Sequence, residues 1–174
     1  AKVRVVTDAT ATEREIVRDA LDGLALAVAR SDDLGAASLE KTSDTKLEKF
    51  LYEALLETGT LGDVTHSWYL AGPKTEATGT SPNTDRLVNA YERVAPGPRG
   101  SSSFTDERDV YEPNSRVRRF AEFFRDRYEL SDKWFTPGGE FLSEFYRRRA
   151  PNRYRDLYVA VQRLRNLLSK MDRE

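Results

Sequence analysis

Apolar residues three and four apart recur in stretch after stretch of this chain, and nothing constrains its fold more, because that spacing puts them on one face of an α-helix. Ile16, Val17, Ala20, Leu21, Leu24, Ala27 and Val28 form the longest such stripe. With Thr12 and Glu15 as a capping box, they predict a helix over residues 12–30. A second stripe, Leu47, Phe50, Leu51, Ala54 and Leu55, follows a cap at Asp44 or Thr45 and ends at Gly59. Leu87, Val88, Tyr91 and Val94 mark a third helix, opened by Thr84 and unable to pass Pro96. Val117, Phe120, Ala121, Phe124 and Tyr128 mark a fourth, capped by Asn114 or Ser115. A fifth starts at Thr136-Pro137, carries Phe141, Leu142, Phe145 and Tyr146, and closes at Pro151. The last is capped by Asn152.

Between these helices, Ser31–Ser43 reads as a loop, and so does the polar stretch Lys74–Asn83. Val64–Leu70 is rich in β-branched and aromatic residues and is stopped by Gly72-Pro73, which predicts an extended segment. Lys2–Val6 is a short β-like stretch, too isolated to define a sheet. The expected fold is mainly α, with about six helices and a small β hairpin or wing near residues 64–70. Residues 95–103 contain two Pro, two Gly and three Ser, the composition of a linker or exposed loop. They separate an acidic helical part, 1–94, from an Arg-rich helical part, 104–174, and the two parts are either subdomains or one domain.

Composition removes several function classes. The chain has 174 residues and no cysteine, so disulfides, thiol catalysis and thiolate metal sites are out of reach. Its one histidine, His66, leaves no His-pair zinc motif, and beside Trp68 it is expected to be a packed residue. Phosphate-cradling Gly loops, nucleophile elbows and EF-hand spacings do not occur. The adjacent acids Asp32-Asp33 and Asp106-Glu107 lie in polar stretches and read as solvated surface. No catalytic residue, metal or cofactor is therefore expected, and the chain reads as a non-enzyme. With no apolar run near the roughly 18 residues that span a bilayer, a cytoplasmic protein that avoids membranes is expected.

The net charge of −1 conceals a split. Residues 1–113 carry 13 Lys and Arg against 20 Asp and Glu, while residues 114–174 carry 15 against 9. A cationic segment attracts phosphate, an acidic protein surface, or the chain's own acidic half. The sharpest local feature is Phe145–Arg155, in which Arg147, Arg148, Arg149, Arg153 and Arg155 accompany Tyr146 and Tyr154. Arginines that pair phosphates beside tyrosines that stack on bases would make a nucleic-acid patch. The alternative is that the tyrosines complete helix faces and the arginines are a solvated helix end. In the last helix Tyr154, Leu157, Val161, Leu164, Leu168 and Met171 alternate three- and four-residue steps, the spacing of a coiled-coil seam. Leu157, Val161, Leu164 and Leu168 are thus candidates for a homodimer seam, with core packing as the other reading.

Lys46-Leu-Glu-Lys-Phe-Leu-Tyr52, then Trp68-Tyr-Leu-Ala-Gly-Pro73, then the helix at Thr84 together resemble the Panacea antitoxin-like domain over residues 44–94. In that family a "KLQKLLY"-type helix leads to an aromatic segment ending in Gly-Pro and then to another helix. The resemblance implies a helical, non-enzymatic protein that neutralises or regulates a partner by binding it. It also implies that Leu47, Phe50, Leu51 and Tyr52 are scaffold, and that Trp68 and the Gly72-Pro73 turn shape the surface.

Two functions follow. The first is a regulatory protein that acts by macromolecular binding, antitoxin-like or a helical DNA-binding transcription regulator, whose arginines from Arg147 to Arg155 contact nucleic acid. The second is a structural or assembly protein whose Arg-rich C-terminal helices dock on an acidic protein surface or on a second copy of the chain.

Overall fold

Helix α1 (Ala11–Ala29) is the axis of the molecule. Between Ile16 and Val28 every side chain but that of Arg18 is buried, so the helix is enclosed on nearly all sides. Around it pack α3 (Asp44–Glu57), α4 (Thr84–Val94) and α5 (Ser115–Arg127). The computed structural model describes residues 11–69, 72–75, 82–95, 111–128, 140–152 and 155–171, the side chains of residue 11 and residues 140–143 excepted. Among these residues the remaining elements are α2 (Ala36–Glu40), a 3₁₀ turn at Leu61–Asp63, a hairpin of β1 (His66–Tyr69) and β2 (Gly72–Thr75), α6 (Glu140–Arg149) and α7 (Arg155–Met171). The mainly helical architecture with a small hairpin is as the sequence predicts.

Gly23 lets α5 come close to α1. A Cβ there would lie 2.4 Å from Cβ of Phe120, so only glycine lets α5 press its backbone against α1. Two buried carboxylates of α1 fasten its neighbours. Asp22 accepts from Arg93 of α4 at 2.7 Å and from the Tyr111 hydroxyl at 3.0 Å. Asp19 accepts from Arg116 of α5 at 3.2 Å and from the Asn114 side chain at 3.3 Å. One hydrophobic core takes residues from both sides of 95–103: Leu24 and Phe50 from one, Phe120, Phe124 and Phe145 from the other.

Several boundaries differ from the sequence expectation. α1 begins at Ala11, so Thr12 lies inside the first turn and is not its cap. The cap of α3 is Ser43, whose side chain accepts from the Lys46 amide, one residue ahead of the expected Asp44 or Thr45. The predicted loop 31–43 contains α2, which no side chain caps and which buries Ser38 and Leu39. Asn114 caps α5 as expected, and Gly59 follows α3 with φ +74°. Gly72-Pro73 begins the second strand of the hairpin instead of stopping the extended segment, with Trp68 opposite Pro73 and Tyr69 opposite Gly72. Proline is tolerated there because, among the described residues, the ribbon has two strands and each leaves an outer edge with no strand to receive an N–H. The β-like stretch Lys2–Val6, the helix start at Thr136-Pro137 and residues 96–103 lie outside the described residues, whereas Asn152, expected to cap the last helix, lies in a turn three residues ahead of Arg155, the first residue of α7.

Candidate functional site

The two sequence segments that carried the resemblance meet in space. α3 packs directly on β2. Tyr52 lies edge-on to Trp68 at 5.4 Å and to His66 at 5.7 Å, and Phe145 of α6 stacks on Trp68 at 5.9 Å. Tyr146 stacks on Tyr158 of α7 at 5.0 Å, and the Tyr158 hydroxyl donates to the carbonyl of Tyr69. Six aromatic rings from α3, the hairpin, α6 and α7 thus form one junction, in which His66 is a packed member with its Nδ1 against the carbonyl of Val64.

Beneath the rings α3 carries charge into the interior. Lys46, Lys49 and Glu53 are 1%, 0% and 0% exposed, and Glu48 is also buried. The Lys49 ammonium lies 5.1 Å from the centre of the Tyr146 ring and donates to the carbonyl of Thr45 at 3.2 Å. It also lies under Gly72, whose φ of +110° favours glycine and where a Cβ would come within 3.1 Å of the Lys49 Nζ. Burial pushes Lys49 down to about 7 and Lys46 down to about 8. Glu48 accepts from the Thr75 amide at 3.3 Å through Oε2, while Oε1 has no hydrogen-bond partner among the described residues. Burial pushes its carboxyl up to about 8, against the opposing pull of that amide and of Lys74 and Lys49.

Glu53 explains two of the candidate arginines. Arg149 holds it with a planar fork, Nε at 3.0 Å from Oε1 and Nη2 at 2.8 Å from Oε2, and reaches Glu57 at 3.2 Å. Arg148 adds a longer contact at 3.4 Å. These hydrogen bonds hold the Arg149 guanidinium above its ordinary value, and they clamp α6 to α3. The oppositely charged parts of the chain therefore neutralise each other at this joint and at Asp19–Arg116.

The predicted patch is accordingly divided. Arg147 is exposed, Arg149 is held by Glu53, and Arg148, also exposed, makes only the longer contact with it. Tyr146 is 2% exposed and its faces are taken by Tyr158 and Lys49, which leaves no ring surface for a base. Arg155 is half-buried and donates to the carbonyl of Ala150. Arg153 and Tyr154 lie outside the described residues.

The seam residues stand elsewhere than core packing would put them. α7 turns Tyr158 and Gln162 inward. Leu157 is 52% exposed, Leu164 56% and Leu168 51%, and Val161 is half-buried at the margin. Leu167 at 57% and Met171 at 61% widen the band. Leu167 falls outside the three-four seam, so the sequence reading missed it, although it stands one turn beyond Leu164. Among the described residues no cluster of three metal-binding side chains occurs, and no helix is long and apolar enough to cross a membrane.

No curated protein and no solved structure matches the chain. A family model does match it, over residues 5–174. The chain belongs to the family described as domain of unknown function DUF8098.

Proposed function

We propose that this protein works by binding another macromolecule without chemistry of its own, and that α7 is the element that docks, with a second copy of the chain as its occupant. The observation that carries the reading is the outward apolar band of α7. Five large apolar side chains left at least half exposed present on the order of 500 Å², the scale at which a surface patch marks an interaction site. Leu157, Val161, Leu164, Leu168 and Met171 keep the three-four rhythm by which two helices interlock. Val161 and Leu168 alternate with Leu157 and Leu164; on one flank Ala160 and Leu167 carry no charge, and on the other stand Tyr158 and Arg165.

The regulatory form of this reading, an antitoxin-like or DNA-binding cytoplasmic protein, rests on the resemblance over residues 44–94. It is compatible with a dimer, since regulators that read paired sites are commonly two-fold. Assembly through α7 is favoured over nucleic-acid contact at Arg147–Arg155, because Tyr146, Arg148 and Arg149 are already engaged within the chain.

Light scattering on the 19.8 kDa chain tests it. The expected mass rises toward twice that value with concentration, and the double variant Leu164→Glu/Leu168→Glu stays at the single-chain mass throughout. A parent chain that remains single at every concentration overturns the self-association.

A further inference from the structure

A groove runs between α1 and α4 on the part of the chain that the sequence marks as acidic. Arg14, Val17, Arg18 and Leu21 face it from α1, and Arg86, Asn89 and Arg93 from α4. Each set has the spacing of a single helical stripe, so the two helices present parallel rows of guanidinium groups over an apolar floor. The cavity encloses about 460 Å³ and is open to solvent on one side. That volume lies within the range of about 300–1,000 Å³ in which small-molecule sites fall.

The four arginines are not equivalent. Arg93 is held by the buried Asp22 carboxylate at 2.7 Å, which fixes its position at one end of the groove. Arg14, Arg18 and Arg86 form no ion pair among the described residues, unlike Arg93, Arg116, Arg148 and Arg149. Glu15 is the one acid among the described residues of the lining, so with Asp22 counted these residues keep an excess of positive charge. The acids that make residues 1–113 negative are partly spent inside the fold, at Asp19, Asp22, Glu48 and Glu53. The local charge here is opposite to that of the sequence around it.

We propose that this groove binds a phosphorylated ligand of nucleotide size. Guanidinium forks pair phosphoryl oxygens two at a time, and a phosphate chain carries enough negative charge to engage several of them, which a single carboxylate does not. Val17 and Leu21 close the floor but are themselves buried, so a ring or chain attached to the phosphate would lie against the methylene stems of the arginines, with Asn89 a neutral donor and acceptor beside it. The same phosphoryl chemistry also arrives as the backbone of a nucleic acid. The site uses no residue of α7 and stands whether or not the chain self-associates.

The experiment is calorimetric titration with three probes, sodium tripolyphosphate, magnesium-free ATP and a short single-stranded oligonucleotide, at about 50 mM salt, where phosphate contacts are strongest. The variant is Arg14→Gln/Arg18→Gln/Arg86→Gln, which leaves the Arg93–Asp22 pair in place; Arg86→Gln alone serves if the triple variant does not fold. Arg118→Gln/Arg127→Gln, on exposed positions of α5 away from the groove, is the control. The expected result is binding of ATP or tripolyphosphate that weakens at least about tenfold, or 1.4 kcal/mol, in the triple variant and is unchanged in the control. Tighter binding of ATP than of tripolyphosphate assigns the arginine stems to the base. An oligonucleotide that displaces ATP assigns the phosphoryl group to a nucleic-acid backbone. Failure of all three probes to bind, or binding that the groove variants leave intact, overturns the proposal.

Discussion

α3 and α7 solve opposite problems. α3 buries nine of its fourteen residues, four of them charged, while α7 buries two of seventeen and leaves its leucines in solvent. A buried charge survives only where partners surround it, and Glu53 has two guanidinium groups within 3.4 Å. An apolar band in water has no such local remedy. The interior thus pairs Glu53 from within the chain, although Glu48 keeps one carboxylate oxygen without a hydrogen bond among the described residues, whereas the band on α7 is left facing solvent.

The contrast breaks first at Glu53. Glu53→Ala strands Arg149 and Arg148 against a buried wall and is expected to cost about 3 kcal/mol, at the lower end of the range for breaking a buried pair because both arginines keep partial exposure. Chemical denaturation measures it, and a loss under about 1 kcal/mol would show that the clamp is solvated in solution. On α7 the inward face should outweigh the seam. Tyr158→Ala, which removes a buried ring and its bond to the Tyr69 carbonyl, is expected to cost about 3 kcal/mol. Leu164→Ala, measured at a concentration where the chain is single, should stay within about 0.5 kcal/mol. Equal costs would mean that α7 is rotated in solution.

The buried charges also predict a pH signature of intermediate size. Glu48 holds its proton up to about 8 in the folded chain but releases it near the ordinary 4.5 when unfolded. Stability from this group is complete below the lower value and is lost as pH rises toward the upper one. Lys49, pushed down to about 7 from 10.5, acts in the opposite sense, and its contribution returns as pH rises between those values. The parent Tm is therefore expected to pass through a minimum between pH 7 and 8, several degrees below its value at pH 5. Glu48→Gln should remove the fall on the acid side. A Tm in the variant that still declines as steeply from pH 5 to 8 would place the titration elsewhere.

Much of this was legible in the sequence, for a reason that also marks where legibility stopped. The stripes Ile16–Val28, Leu47–Leu55 and Val117–Phe124 are buried as their periodicity requires, and the hairpin falls where β-branched and aromatic residues cluster. Periodicity counts apolar residues, so it is blind to Lys46, Lys49 and Glu53, which share α3 with the stripe and go inside, Lys49 under the distant Tyr146 ring and Glu53 against the distant Arg149. The partner of Glu53 lies 96 residues away, at Arg149, and no spacing rule reaches that far. The same blindness made Arg148 and Arg149 look like a free cationic patch, and it hid the α1–α4 groove, whose arginines are separated by residues 18 to 86. The seam of α7 was visible as a pattern, but a pattern does not say whether its face is turned toward the core or away from it.

The contact at Gly23 bears on how the chain reaches this state in time. The α1–α5 interface joins segments roughly a hundred residues apart, so closing it carries a large loop entropy that contacts between near neighbours, such as α6 with α7, do not. Docking of α5 is therefore expected to complete late, after the barrier has been crossed. Gly23→Ala, which forces the two backbones apart, should then quicken unfolding while leaving the refolding rate nearly unchanged, and stopped-flow arms that moved together would place the contact in the nucleus instead.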